Sequence, residues 1–286
     1  MSIQLPAYVT DLAETVARAL SEDIGSGDVT ARLVDADEIS DARVISREAA
    51  VICGRPWVDE VFRQIDPSIR VEWLVEEGAS VIPDQKLFTL HGPARALLTG
   101  ERPALNFLQT ASGTATAVKQ YVDAVAGTSA RISDTRKTFP GLRNLQKYAV
   151  LCGGGINHRI GLYDGILIKE NHIAAAGGIR QAIANARALN AGVPLMTEAE
   201  TLDEARAALA ADVDLLLVDE FPLAELREAV ALTRAHRAQG GKTVIEYSGS
   251  TTLANVRGFA EAGVDRVSIG SITKHLRAVD LSMRFA

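Results

Sequence analysis

The chain has 286 residues, 47% of them hydrophobic, with 30 Lys and Arg against 36 Asp and Glu for a formal charge of −6. That length gives roughly two domains or one barrel-sized domain, and it buries enough surface to fold without a disulfide or metal staple. The composition excludes a disordered chain, and the acidic balance repels polyanions, so no nucleic-acid partner is expected. Two cysteines, Cys53 and Cys152, form no Cys-x-x-Cys pair and fit a reducing cytoplasm. Cys152 reads as a small buried hydrophobe. The N-terminal residues do not resemble a signal peptide, and no apolar run approaches the roughly 20 residues that span a bilayer. A cytoplasmic location and no membrane partner are therefore expected.

The first hundred residues mix element types. Leu12, Val16 and Leu20 recur at helical spacing, with Asp11 and Glu14 placed as a capping box. Residues 43–52 read as a strand, Pro56 opens a helix through Ile65, and two alternating stretches follow, Val71-Val75 and Lys86-Leu90. Trp57 and Trp73 lie in core-like patterns. A further helix is predicted from Glu101 to about Ala126, with Pro103 in its first turn. This is the pattern of a small α+β domain. From Arg131 the texture changes: apolar runs at 131–133, 165–168, 193–197, 214–218, 243–245 and 266–269 alternate with helical stretches at 179–189, 202–210, 223–233 and 253–262. That is a βα repeat with buried parallel strands, either a reduced barrel or an open doubly wound sheet.

Ligands of parallel α/β folds bind beyond the carboxyl ends of the strands. Those ends carry Asp134-Thr135-Arg136-Lys137-Thr138, then Lys169 to His172, Glu198, Asp219-Glu220, Glu246 with Ser248-Gly249-Ser250, and Gly270-Ser271. Polar groups at six successive ends point to one site. Residues 131–172 hold seven Lys or Arg against three acids, which points to a small polyanionic ligand. Arg136 and Arg159 each have the fork for a carboxylate or phosphate. Arg143 and Lys147, at i and i+4, fit a solvated helix face equally well. Ser248-Gly249-Ser250, leading into a helix near Thr251, and Gly270-Ser271, doing the same at Ile272, favour a phosphate cradle. Glu198 and Asp219 end adjacent strands and suit Mg²⁺. His158 and His172 are each open between a ligand contact and a helix-end partner.

The stretches DTRKTFPGLR (Asp134 to Arg143), KYAV (Lys147 to Val150), GGGINHR (Gly153 to Arg159) and LIKENHI (Leu167 to Ile173) closely resemble the quinolinate phosphoribosyltransferase family. The likeness extends to ERPALN (Glu101 to Asn106), Ser248-Gly249, GSITKH (Gly270 to His275) and DLSMRF (Asp280 to Phe285), and so covers nearly the whole chain. It implies an N-terminal α+β sandwich domain, residues 1–112 with 275–286 packing back on it, before an incomplete parallel α/β barrel, residues 113–274. It implies a homodimer with shared active sites. The implied reaction joins quinolinate and phosphoribosyl pyrophosphate (PRPP) to give nicotinate mononucleotide, pyrophosphate and CO₂, with Mg²⁺, in NAD biosynthesis. The implied roles are quinolinate binding for Arg136, His158 and Arg159 with Thr135 nearby, and a partner-supplied cation for Arg102. Lys137 and Lys169 match lysines near the reacting centre and the pyrophosphate. Glu198 and Asp219 match carboxylates facing ribose and metal, and Ser248, Gly249, Gly270 and Ser271 match phosphate-binding turns. The sequence departs from the family pattern at Phe139, Tyr163, Met196, Glu220 and Tyr247. Three rival expectations remain: a Schiff-base lyase using a desolvated Lys169, a barrel paralogue acting on another acid, and a binding protein that has lost turnover.

Overall fold

The structure is a computed structural model that describes residues 3–285. The chain divides into two compact units: unit one holds the chain up to Lys119, Lys137–Gly154 and the chain from Ser271, and unit two holds Gln120–Arg136 and Gly155–Gly270. The motif segment 137–154 thus clusters with unit one, a partition that the change of texture near Arg131 does not announce.

In unit one, α1 (Leu12–Ile24) buries Val16 and Leu20, as its spacing requires. The capping box is not formed: Asp11 makes no side-chain cap bond and instead accepts from the Asn144 amide at 2.8 Å. The stretch read as one strand is two, β1 (Ile39–Ser46) and β2 (Ala50–Val51). Next come α2 (Arg55–Ile65), which Pro56 opens at a position needing no N–H, then β3 (Arg70–Trp73), β4 (Ser80–Val81) and β5 (Lys86–Pro93). Trp57 is wholly buried. Trp73 is only half-buried, donating Nε1–H to Asp59 at 2.7 Å beneath the Arg55 guanidinium. α3 runs from Ala94 to Ala124, so Pro103 lies inside it rather than in a first turn. Tertiary packing outweighs the proline penalty there: Leu97, Leu105 and Leu108 are wholly buried, or nearly so, in the same core as Phe62, Phe88 and Leu90.

The terminal strand β12 (Leu281–Phe285) pairs antiparallel with β1, which completes the sheet order β12-β1-β5-β3. Gly113 lets the backbone around Arg277 reach α3, since a Cβ there would lie 2.4 Å from the Arg277 carbonyl oxygen. α4 (Arg143–Cys152) corrects the reading of its two cations. Arg143 is half-buried and donates to Thr138 at 3.1 Å, and Lys147 is completely buried. An i,i+4 pair of cations looks the same in sequence whichever face it occupies.

Unit two is a six-stranded parallel sheet: β6 (Arg131–Ser133), β7 (Ile166–Ile168), β8 (Leu195–Ala199), β9 (Leu215–Asp219), β10 (Val244–Ser248) and β11 (Arg266–Ser268). Their order is β6-β11-β10-β9-β8-β7, the sequence of a barrel in which the pair β6/β7 has not closed. On the free side of β6, Ser133 bridges in parallel to Ile156. The incomplete α/β barrel expected above is the observed fold. β8 and β9 are buried on nearly every residue, as parallel strands under helices must be.

Of the unit-two helices, α5 (Glu170–Ala176) had no apolar repeat to mark it. α6 (Ile179–Ala188) and α7 (Leu202–Ala210) fall where expected, α7 capped by Thr201 Oγ on the Glu204 N–H. α8 (Leu223–Ala238) runs longer than predicted, α9 (Val256–Ala262) begins several residues after Thr251, and α10 (Ser271–Lys274) is a single turn belonging to unit one.

Candidate active site

The strands place the charged residues somewhat differently from the sequence reading. Glu198, Asp219, Glu246 and Ser248 are strand residues, not residues that follow strands. Glu246 is wholly buried, and Glu198 nearly so.

Beside β6, the buried Asp134 carboxylate organises the glycine-rich segment. It accepts the His158 backbone N–H at 2.8 Å and the Asn157 amide at 2.7 Å. Those bonds to a buried charge hold the segment against the strand edge. His158 Nδ1 accepts the Arg159 N–H at 2.7 Å, which leaves the ring proton on Nε2, 3.7 Å from Glu246 Oε1. His172 has the helix-end role instead: its Nδ1 accepts the Lys169 N–H at 3.0 Å and caps α5. Glu246 as the buried neighbour of His158 was not legible as such, because the two are joined only by the fold.

Two guanidiniums stand near each other without a shared acid. Arg159 donates to the Gly165 carbonyl at 2.9 Å. Burial first, and then the charge of Arg136, hold the Arg159 guanidinium's pKa below its ordinary value, with Asp164 opposing. Arg136 Nε is buried and makes no hydrogen bond among the described residues. A half-buried like-charge pair with a donor unused among the described residues has the chemistry to receive an anion.

Directly after β7, Lys169 Nζ lies 2.5 Å from Glu198 Oε2. The lysine side chain is 44% exposed and its amine is paired with that carboxylate, an arrangement unlike the desolvated, unpaired amine of a Schiff-base lyase. Burial raises the Glu198 pKa, Lys169 lowers it, and the charges of Asp219 and Glu170 raise it again. One carboxylate oxygen each of Glu170, Glu198 and Glu200 lies within 4.8 Å of the others. Sequence reasoning paired Glu198 with Asp219; it placed Glu170 at a strand end without grouping it with Glu198, and it did not single out Glu200.

The turn after β10 is tight. Gly249 has φ +153°, and a Cβ there would lie 2.8 Å from the Tyr247 hydroxyl and 2.9 Å from a Glu220 oxygen. Glu220 itself sits at φ 53° and accepts from Ser250 Oγ at 2.7 Å. Tyr247 stacks on Phe259 with ring centroids 3.9 Å apart, and its phenol is pushed up to about 12, first by burial and then by Glu220 and Asp219. Thr251 Oγ1 is buried without a partner among the described residues. Since α9 starts only at Val256, this turn offers backbone and hydroxyl donors rather than a helix N-terminus.

In unit one, the Lys137 carbonyl accepts from Thr273 Oγ1 at 2.8 Å, and Ser271 Oγ is buried with no partner among the described residues. Arg102 is exposed on α3, with no ion pair or hydrogen bond among the described residues. A cavity of about 430 Å³ between α1, α3 and the start of α4 contains none of the predicted site residues.

Residues 28–112 match the quinolinate phosphoribosyl transferase N-terminal domain, and residues 114–284 match its C-terminal domain. The chain is 41% identical over 276 residues to the nicotinate-nucleotide pyrophosphorylase [carboxylating] of Mycobacterium leprae, covering 94% of this chain and 95% of that one. A probable enzyme of the same name in Bacillus subtilis is 39% identical, covering 92% and 89%. The solved nicotinate-nucleotide pyrophosphorylase of Francisella tularensis superposes with a TM-score of 0.93 at 40% identity, covering 100% of both chains. Human nicotinic acid phosphoribosyltransferase, at 16% identity and TM-score 0.63, shares the fold. No helix among the described residues is long and apolar enough to cross a membrane.

Proposed function

The chain belongs to the quinolinate phosphoribosyltransferase family, and from that premise we propose that it converts quinolinate and PRPP to nicotinate mononucleotide, pyrophosphate and CO₂ in NAD biosynthesis. The observation that carries the reading is the Arg136 and Arg159 pair, a half-buried double cation with a donor unused among the described residues, which suits a ligand bearing two carboxylates.

In the transfer, the quinolinate ring nitrogen forms a bond to the ribose anomeric carbon as the bond to pyrophosphate oxygen breaks. The ribosylated ring then carries a positive nitrogen. The adjacent carboxylate leaves as CO₂, its bonding pair stays on the ring carbon, and that carbon takes a proton. The substrate is its own electron sink, so no organic cofactor is required. Arg136, His158 and Arg159, with Thr135, bind and orient quinolinate. Lys137 and Lys169 serve the reacting centre and the departing pyrophosphate. Ser248, Gly249, Gly270 and Ser271 hold phosphate, and the partnerless Ser271 and Thr251 hydroxyls support that role. Glu198 and Asp219 face the ribose, where carboxylates stabilise developing positive charge.

The crowded acids around Glu198 fit Mg²⁺: they are all oxygen donors, and burial first, then the charges of Asp219 and Glu170, raise the Glu198 pKa against Lys169. Glu198 and Asp219 would hold the ion, with Glu170 and Glu200 adjoining Glu198. When bound, it supplies charge neutralisation to the pyrophosphate. The free, buried Cys53 and Cys152 support a reducing, cytoplasmic setting.

The assay is pyrophosphate release. Release that requires both PRPP and quinolinate supports the reading; equal release with PRPP alone would overturn it. We further propose a homodimer in which Arg102 serves the partner's site, a role that its exposed, uncommitted guanidinium allows. Mixing Arg102→Ala and Lys137→Ala chains, each inactive alone, is expected to restore up to about a quarter of wild-type activity per chain, because random pairing makes half the dimers mixed and each of these has one intact site. A mixture as inactive as its components excludes a shared site.

A further inference from the structure

Unit one contains a second cluster of ligating side chains, remote in sequence from the strand-end residues. Cys53 is wholly buried just before α2, Cys152 is the buried last residue of α4, and Glu77 lies in the turn between β3 and β4. One donor atom from each of the three lies within 4.8 Å of the other two. Glu77 is fixed from behind, Oε1 accepting the Gly54 N–H at 2.7 Å and Oε2 the Arg55 N–H at 3.2 Å. Its Oε1 is 3.9 Å from Cys152 Sγ. Gly78, at φ +79°, lets that turn close on α4, since a Cβ there would lie 3.2 Å from the Cys152 carbonyl oxygen. Tyr148, one helical turn before Cys152, brings its hydroxyl to the same group, and its pKa is raised by burial and by the Glu77 and cysteine charges.

We propose that Cys53, Glu77 and Cys152 form a binding site for a thiophilic divalent ion of the zinc type, with Tyr148 or a water at the fourth position. Two sulfurs and one carboxylate select a borderline-soft ion over Mg²⁺ or Ca²⁺. Tetrahedral zinc, with Zn–S of about 2.3 Å and Zn–O of about 2.0 Å, needs its ligand atoms about 3.5–3.8 Å apart, so the cluster contracts by roughly 1 Å at most. Binding changes no oxidation state. Each thiol gives one proton to solvent, so two protons leave per ion. The resulting site carries one net negative charge, placed at the positive N-terminal end of α2. The hydrogen bonds from Gly54 and Arg55 supply the outer support that orients a ligating carboxylate.

The experiment uses the full chain stripped of metal, titrated with Zn²⁺ against a chromophoric chelator and separately with Co²⁺. The expected results are one tight zinc per chain, two protons released, and a thiolate-to-cobalt charge-transfer band. Cys53→Ser and Cys152→Ser are each expected to abolish the band and weaken zinc binding about 100-fold or more, and Glu77→Gln about 10-fold. Glu198→Gln is expected to keep the band, which separates this site from the carboxylate cluster of unit two. The proton count and cobalt spectrum need no variant, so a serine variant that fails to fold does not remove the test. Absence of the cobalt band in wild-type protein, or zinc affinity unchanged in both folded serine variants, overturns the proposal.

Discussion

Arg136→Ala is expected to lower kcat/KM for quinolinate by roughly 30-fold to several thousand-fold, about 2–5 kcal/mol, while leaving the folded protein no less stable. The two halves of this expectation have one cause. In the free protein Arg136 raises the energy of its neighbour, since its charge adds to burial in holding the Arg159 pKa down, and its own Nε is buried without a partner among the described residues. Removing it relieves repulsion and removes an unpaired donor. With the substrate present, the same removal leaves one carboxylate of a dianion uncompensated in a partly desolvated site. Arg136→Lys restores the charge without the planar fork, so only part of the loss returns. Steady-state kinetics and thermal melts on the same samples check both halves. A lower melting temperature with unchanged kcat/KM would make Arg136 a structural residue.

Lys169→Ala is expected to lower kcat by about 10²–10³-fold, the size typical of losing one preorganised electrostatic group. Here pH dependence adds a second readout. Lys169 is the main group lowering the Glu198 pKa against burial, Asp219 and Glu170, so its removal moves the acid limb of the activity profile to higher pH. The stability sign is also fixed. Folded Glu198 holds its proton above the ordinary carboxylate value, so the folded state binds more protons than the unfolded one. That contribution is fully present below the ordinary value and is lost as pH rises through the raised one. Glu198→Gln removes this slope. Lys169→Ala and Glu198→Gln should be strongly non-additive in kcat, because the pair acts as a unit. Additive losses with an unmoved acid limb would mean that the two residues act separately.

What could be read from the chain follows from the range of the interactions involved. The parallel strands and most helices were visible because burial on both faces leaves continuous apolar runs, and helices leave a 3.6-residue period. The ends of β8, β9 and β10 were placed one to three residues early because Glu198, Asp219 and Glu246 are polar residues inside strands, where a hydrophobic pattern stops too soon, whereas the ends of β6 and β7 fall where predicted. Lys147 was open to a solvated reading because burial of a lysine is decided by elements distant in sequence. Glu170 next to Glu198, Glu246 next to His158, and Cys53 next to Cys152 are likewise products of topology alone. The Asp134-to-Arg143 and Gly153-to-Arg159 motifs stood out because one small region carries both the cations that meet the ligand and the glycines that let the backbone turn.

The most direct test of the account is a side-by-side turnover measurement with quinolinate and with nicotinate, each with PRPP and Mg²⁺, following nicotinate mononucleotide and CO₂ together. The account predicts product from quinolinate with one CO₂ per mononucleotide, and little or none from nicotinate, which lacks the second carboxylate that the Arg136 and Arg159 pair is built to meet. Equal or faster turnover of nicotinate, with no CO₂, would contradict it.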